Sequence, residues 1–174
     1  MMQSIGKWAL QILIVVVLAY CIIYFGVQST RNLGQSMEPT LSNKDLILIN
    51  KAAYITKEPK RFDVIVFQSA QNDQLPLNIK RIVALPGETV QIIDGELYIN
   101  NKKIEHKVFS ELITTAGVAK EPITLGEDEY FVMGDNCNNS EDSRFSNIGN
   151  VHESDIVGKA WIYIEKWNKF KKIR

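Results

Sequence analysis

Histidine and cysteine are nearly missing from this sequence of 174 residues, which holds two of each: His106, His152, Cys21 and Cys137. Two cysteines build no disulfide framework, and four such scattered side chains make no zinc site. Net charge is missing too, 20 basic side chains cancelling 20 acidic ones. That balance excludes a nucleic-acid binder that works by neutralising many phosphates. No internal repeat and no low-complexity tract interrupts the chain. At 45% hydrophobic and 23% charged residues, the composition is that of a folded protein. No residue pattern calls for a cofactor or a metal.

One long run without charge stands out instead. Residues 8–27 read WALQILIVVVLAYCIIYFGV, and as a helix they span about 30 Å, the thickness of a bilayer's hydrocarbon core. A cleaved leader has a shorter apolar region and a small-x-small site after it, and QSTRNLG offers none. A buried soluble helix shows a polar face, which is lacking here. The run reads as a retained transmembrane helix, with residues 1–7 a short segment before it and residues 32–174 a domain after it. Lys7 and the free amine precede the span while Arg31 and Lys44 follow it, so the positive-inside rule leaves the orientation open. Cys21 falls inside the span as a small apolar residue. Cys137 has no partner in the domain, and an oxidising compartment stays open. The last ten residues, EKWNKFKKIR, carry five basic side chains against Glu165. They read as a solvated, frayed terminus; with Trp167 and Phe170 interleaved, contact with an anionic lipid surface is the alternative.

The domain is patterned as strands. DLILIN (45–50), RFDVIVFQ (61–68), IKRIVAL (79–85), TVQII (89–93), ELYIN (96–100), EYFVM (129–133) and AWIYIEKW (160–167) are rich in Val, Ile, Phe and Tyr and are bounded by turn residues. Asp94-Gly95 marks a two-residue hairpin turn that needs positive φ twice, and Asn100-Asn101 suggests a second reversal into KKI. All five prolines avoid the middles of these runs, as strands require. Residues 105–128 alternate poorly and read as an irregular excursion. The fold class is mainly β, many short strands behind one membrane helix.

Three segments depart from generic β sequence. In Gly34-Gln35-Ser36-Met37-Glu38-Pro39-Thr40-Leu41, Gly34 permits an unusual φ and Pro39 stiffens the exit, so Ser36 rides a rigid bend a few residues past the span. In the second, residues 79–88, alternation puts Lys80, Ile82 and Ala84 on one face. A lysine among such neighbours loses water, and its pKa falls. The third, residues 134–144 (GDNCNNSEDSR), has the Gly, Asp, Asn and Ser density of an ordered loop, with Asp142 and Arg144 spaced for a bidentate pair. A calcium loop is the competing reading, but its sixth position is Ser140 and its twelfth Ser146, where Gly and Glu are required. For a serine nucleophile the available bases are His106 or His152, neither in a distinctive setting, or a neutral lysine in a dry site.

S-M-x-P-T-L at Ser36, K-R-[IV]-x-x-x-P-G at Lys80 and G-D-N-x-x-N-S-x-D-S-R at Gly134, in this order behind a membrane span, resemble bacterial type I signal peptidases. The small single-span Gram-positive form is the most similar, and the resemblance runs from the span to about residue 160. It implies an N-terminal transmembrane helix followed by a β-rich catalytic domain, with Ser36 the nucleophile and Lys80 the general base. It implies that the Ser140 hydroxyl orients the lysine, that Gly134, Asp135, Asn136, Asp142 and Arg144 support the site, and that Met37 lines the floor near the substrate. The Ser36 N–H would serve the oxyanion hole. Position 34 is Gly where some members carry a serine whose hydroxyl is a second oxyanion donor. Cys137 and Asn138 replace an often charged pair. Lysine at position 80 separates the chain from the histidine-bearing endoplasmic-reticulum branch.

The implied activity is a serine endopeptidase that removes signal peptides at A-x-A-type sites, needing no cofactor. The implied partners are secretory preproteins, the lipid bilayer and the protein-export machinery. The implied place is the bacterial cell membrane, with the N-terminus inside and the catalytic domain on the outer face. A self-cleaving repressor of the SOS type also pairs Ser with Lys, but it carries a DNA-binding helical domain where this chain has its apolar run. A membrane-tethered peptide-binding scaffold needs neither Ser36 nor Lys80.

Overall fold

The computed structural model describes residues 2–68, 76–109, 111–165 and 169–173, the side chains of residues 2–6 and 21–25 excepted. Helix α1 (Met2–Gly26) passes directly into β1 (Val27–Arg31), so the apolar run is helical except for its last residue. Of α1, the side chains of residues 7–20 are described, and all are exposed. Among the described residues no helix is long and apolar enough to cross a membrane. Cys21 lies outside the described side chains.

The strands that follow are β2 (Leu46–Asn50), β3 (Val64–Phe67), β4 (Asn78–Ala84), β5 (Thr89–Ile93), β6 (Glu96–Ile99), β7 (Lys102–Lys103), β8 (Ile123–Thr124), β9 (Glu129–Met133), β10 (Val151–His152), β11 (Ile156–Glu165) and β12 (Lys169–Lys172). The seven runs of β-branched and aromatic residues are β2 to β6, β9 and β11. Asp94 and Gly95 have φ of 50° and 80°, and Asn100 and Asn101 have 50° and 62°. Those are the paired positive values that close the β5–β6 and β6–β7 hairpins. The large sheet runs β1-β2-β11-β3-β4-β9-β10, with β12 beside β11; the small one runs β7-β6-β5-β8. All pairings are antiparallel.

β3 and β4 form the centre because both their faces are apolar. Val64, Val66 and Ile79 join Met37, Leu41, Ile47 and Ile49 in one cluster, while Ile65, Phe67 and Ile82 join Tyr130 and Val132 in another. A third cluster, with Val83, Ala84 and Met133, fastens the small sheet to the large one. Such two-sided strands lose the polar alternation of a half-exposed sheet.

Two sequence expectations are corrected. Ala84 does not share a face with Lys80 and Ile82: the β4–β9 register shifts between Ile82 and Ala84, and a bulge reverses the alternation beyond it. The C-terminus is not frayed where it is described. β12 pairs with Ile162–Glu165, and Ile173, 7% exposed, enters the Met37 cluster. Trp167 lies outside the described residues. The excursion at 105–128 is mostly irregular, holding 3-10 turns at Lys107–Phe109 and Gly117–Lys120 and the short β8.

Candidate active site

Ser36 sits half-buried on the turn between β1 and β2. Met37 and Leu41, both without exposed surface, drop from that turn into the core, and the Leu41 N–H donates to the Met37 carbonyl at 2.8 Å. Lys80 reaches the same place from β4: its Nζ donates to Ser36 Oγ at 2.9 Å. Lys80 lies opposite Ile65 in the register and is 6% exposed. Burial lowers its pKa below the ordinary value of 10.5, outweighing the nearby carboxylates of Asp142 and Glu141, which pull it up. A buried amine is costlier charged than neutral, and that difference drives the shift.

The 134–144 loop closes over this contact. The Asn136 N–H donates to the Ser36 carbonyl at 2.9 Å, and Asn136 Nδ2 to the Gln35 carbonyl at 3.3 Å. Asp142 and Arg144, both buried, form a bidentate pair at 2.8 and 2.9 Å. The Gly134 N–H donates to Asp142 Oδ2 at 3.0 Å, while Arg144 also donates to the carbonyls of Thr115 and Cys137 at 3.0 and 2.5 Å. Gly134 must stay without a side chain: a Cβ there would lie 2.5 Å from the Ser36 carbonyl oxygen and would strike Ser140 Oγ.

A second buried pair escaped the sequence reading. Arg81, next to Lys80, binds Asp135 through two contacts of 2.7 Å and donates to the Phe62 carbonyl at 2.8 Å and to Thr40 Oγ1 at 3.4 Å. It joins all three motif segments. The available signal was a guanidinium beside Ile79, Ile82 and Val83 in a strand, which is stable in a core only when paired.

Two expectations change. Ser140 Oγ is buried without a hydrogen-bond partner and makes no bond to Lys80, whose amine points at Ser36. Met37 is core and has no surface to offer a substrate. Gly34 has φ of +93°, and its N–H donates to Asn43 Oδ1 at 3.2 Å. Neither histidine contacts Ser36: His106 stacks on Phe62 at 4.2 Å, and His152 lies 3.0 Å from Asp128. Cys137 is buried, and burial raises its thiol pKa. Among the described residues no cluster of His, Cys, Asp or Glu is arranged to hold a metal. A cleft of about 630 Å³ opens beside the turn, between Glu38–Thr40, Asp135–Cys137 and Lys107.

Residues 5–165 match the family described as signal peptidase, peptidase S26. The chain belongs to this family. A signal peptidase I of Bacillus amyloliquefaciens is 34% identical over 182 residues, covering 99% of this chain and 94% of its own. Signal peptidase I T of Bacillus subtilis (strain 168) is 33% identical over 97% of this chain and 89% of its own. The crystal structure of a signal peptidase I from Enterococcus faecalis V583 superposes with a TM-score of 0.50 at 34% identity, covering 59% of this chain and 97% of that one. As a member of this family the chain is a serine peptidase that cleaves signal peptides from preproteins.

Proposed function

We propose that this signal peptidase is a membrane-anchored serine endopeptidase working through a Ser36–Lys80 dyad at A-x-A-type sites. The 2.9 Å contact between a buried amine and a half-buried serine hydroxyl carries the reading. Ser36 Oγ attacks the scissile carbonyl carbon and passes its proton to the neutral Lys80 Nζ. The Ser36 N–H stabilises the oxyanion, and Lys80 returns the proton to the departing amine as the C–N bond breaks. Water then repeats the sequence on the acyl-serine, with Lys80 again the base. Once Lys80 carries a proton it needs an acceptor, and the unpartnered Ser140 hydroxyl, at the loop against Ser36, is assigned that part. Gly134, Asp135, Asn136, Asp142 and Arg144 hold the loop, and Met37 supports the turn from the core.

The substrate strand has an available edge. β9 pairs with β4 only from Arg81 onward, so among the described residues no strand pairs with Asn78–Lys80 on that side. An extended peptide added there would alternate its side chains, presenting every second one to the protein; small residues at alternate positions fit the A-x-A pattern.

For α1 the support is the uncharged run at residues 8–27 and its surface. Trp8, Leu10, Ile12, Leu13 and their neighbours up to Tyr20 are apolar side chains left exposed among the described residues. We assign α1 as the anchor, residues 1–7 to the cytoplasmic side and residues 32–174 to the outer face, with the bilayer and the export machinery as neighbours. Protease added to intact spheroplasts should digest the domain; complete protection would reverse the topology.

The reading is tested with the purified full-length chain and a preprotein whose signal ends in A-x-A. The expected result is one cut after the second alanine and none with Ser36→Ala. Cleavage by Ser36→Ala at the parental rate would refute it.

A further inference from the structure

Ser36 lies on a loop whose two limbs are tied together by hydrogen bonds from residues outside the three motif segments. Asn32 is 2% exposed. Its N–H donates to the Asp45 carbonyl at 2.9 Å, and the Lys44 N–H donates to its carbonyl at 2.7 Å. Its side-chain Nδ2 donates to the Ser42 carbonyl at 3.0 Å and the Leu41 carbonyl at 3.4 Å. The Asp45 carboxylate, also buried, accepts the Ser42 N–H at 2.9 Å. One step higher, Asn43 Oδ1 accepts the Gly34 N–H at 3.2 Å, bracing the backbone two residues before the nucleophile at the left-handed Gly34. Below Ser36 the turn is held by Met37 and Leu41 in the core; above it, Leu33 and Gly34 are exposed.

We propose that Asn32 and Asn43 are positioning residues that clasp the 32–45 loop and hold Ser36 Oγ at the Lys80 amine. This rests on the reading of Ser36 as nucleophile. The two asparagines act with opposite polarity. Asn32 is needed as a donor, since its amide faces two carbonyl oxygens; Asn43 is needed as an acceptor, since its oxygen receives an N–H. Aspartate, equal in shape, is therefore tolerated at position 43 and harmful at position 32. A displacement of about 1 Å in a reacting group costs about 10²-fold in rate, and one lost hydrogen bond is worth about 2- to 10-fold.

The test is steady-state cleavage of the A-x-A preprotein by the full-length chain across a range of pH. Asn32→Asp should lower kcat by about 10²-fold with KM little changed, because β4's edge is untouched. Its acid limb should move to higher pH as water reaches Lys80. Asn43→Ala should lower kcat by about 2- to 10-fold, and Asn43→Asp should keep most of the parental rate. Asn43 is exposed, so its variants fold even if Asn32→Asp does not. Parental kcat in Asn43→Ala, or equal losses in Asn43→Ala and Asn43→Asp, would overturn the clasp. An unmoved acid limb in folded Asn32→Asp would overturn it as well. Those results, with Ser36→Ala inert, sink the clasp alone; cleavage by Ser36→Ala sinks the nucleophile reading and the clasp with it.

Discussion

Lys80→Arg should lose about 10²- to 10⁴-fold of the cleavage rate, the usual worth of a positioned general base. Arginine keeps the positive charge and the reach, but a guanidinium does not give up its proton in this range. An ordinary lysine near 10.4 is neutral in only about one molecule in 2,500 at pH 7, so the catalytic fraction depends on how far burial lowers the value. The rate should therefore rise with pH along a limb centred below 10.5. Stability should follow the same direction. Between the lowered midpoint and 10.5 the unfolded chain holds a proton that native Lys80 has released, and stability increases with pH across that window. Lys80→Met, similar in volume and without the amine, should melt above the parent at pH 7, with the gap shrinking as pH approaches 10.5. Parental cleavage by Lys80→Arg would remove Lys80 as the base. A Lys80→Met variant that melts below the parent would show that the buried amine is not a stability cost.

Arg144→Met should destabilise the domain by about 3–5 kcal/mol, the cost of leaving a buried charge without its partner. Four groups lose a donor at once: the Asp142 carboxylate and the carbonyls of Thr115, Cys137 and Ser140. The loop that holds the Ser36 carbonyl through Asn136 is built on that pair, so activity should fall with it. Adding Asp142→Asn should recover part of the loss. The second change removes the orphaned charge while its amide oxygen still accepts the Gly134 N–H. Urea melts of the parent, the single and the double variant measure this. Arg144→Met melting with the parent would make the pair decorative.

Local chemistry was readable from the sequence, and long-range pairing mostly was not. The Asp94-Gly95 and Asn100-Asn101 turns were legible because positive φ at successive residues is a property of those side chains alone. Strands as short as β7, β8 and β10, two residues each, carry no period to read. β1 (VQSTR) was missed because an exposed edge strand needs no apolar face. β12 was hidden by its lysines: its order comes from pairing to β11 and from Ile173 in the core, neither visible in a basic decapeptide. Ser36 and Lys80 are 44 residues apart, and it was the resemblance rather than spacing that put them together. Arg81 and Asp135, 54 apart, were joined by neither. Asn32 and Asn43 were passed over because their partners, backbone carbonyls for Asn32 and a backbone N–H for Asn43, leave no mark in a sequence.

The central claim is that Lys80 is a neutral amine in contact with Ser36 during turnover, and a direct titration of that amine tests it. With ¹³C- or ¹⁵N-labelled lysine in the full-length protein, the Lys80 resonance is assigned by its disappearance in Lys80→Met and followed against pH. The expected midpoint lies below 10.5, and it should coincide with the acid limb of the cleavage rate. A Lys80 that titrates at or above 10.5 while Ser36-dependent cleavage proceeds at neutral pH would contradict the account.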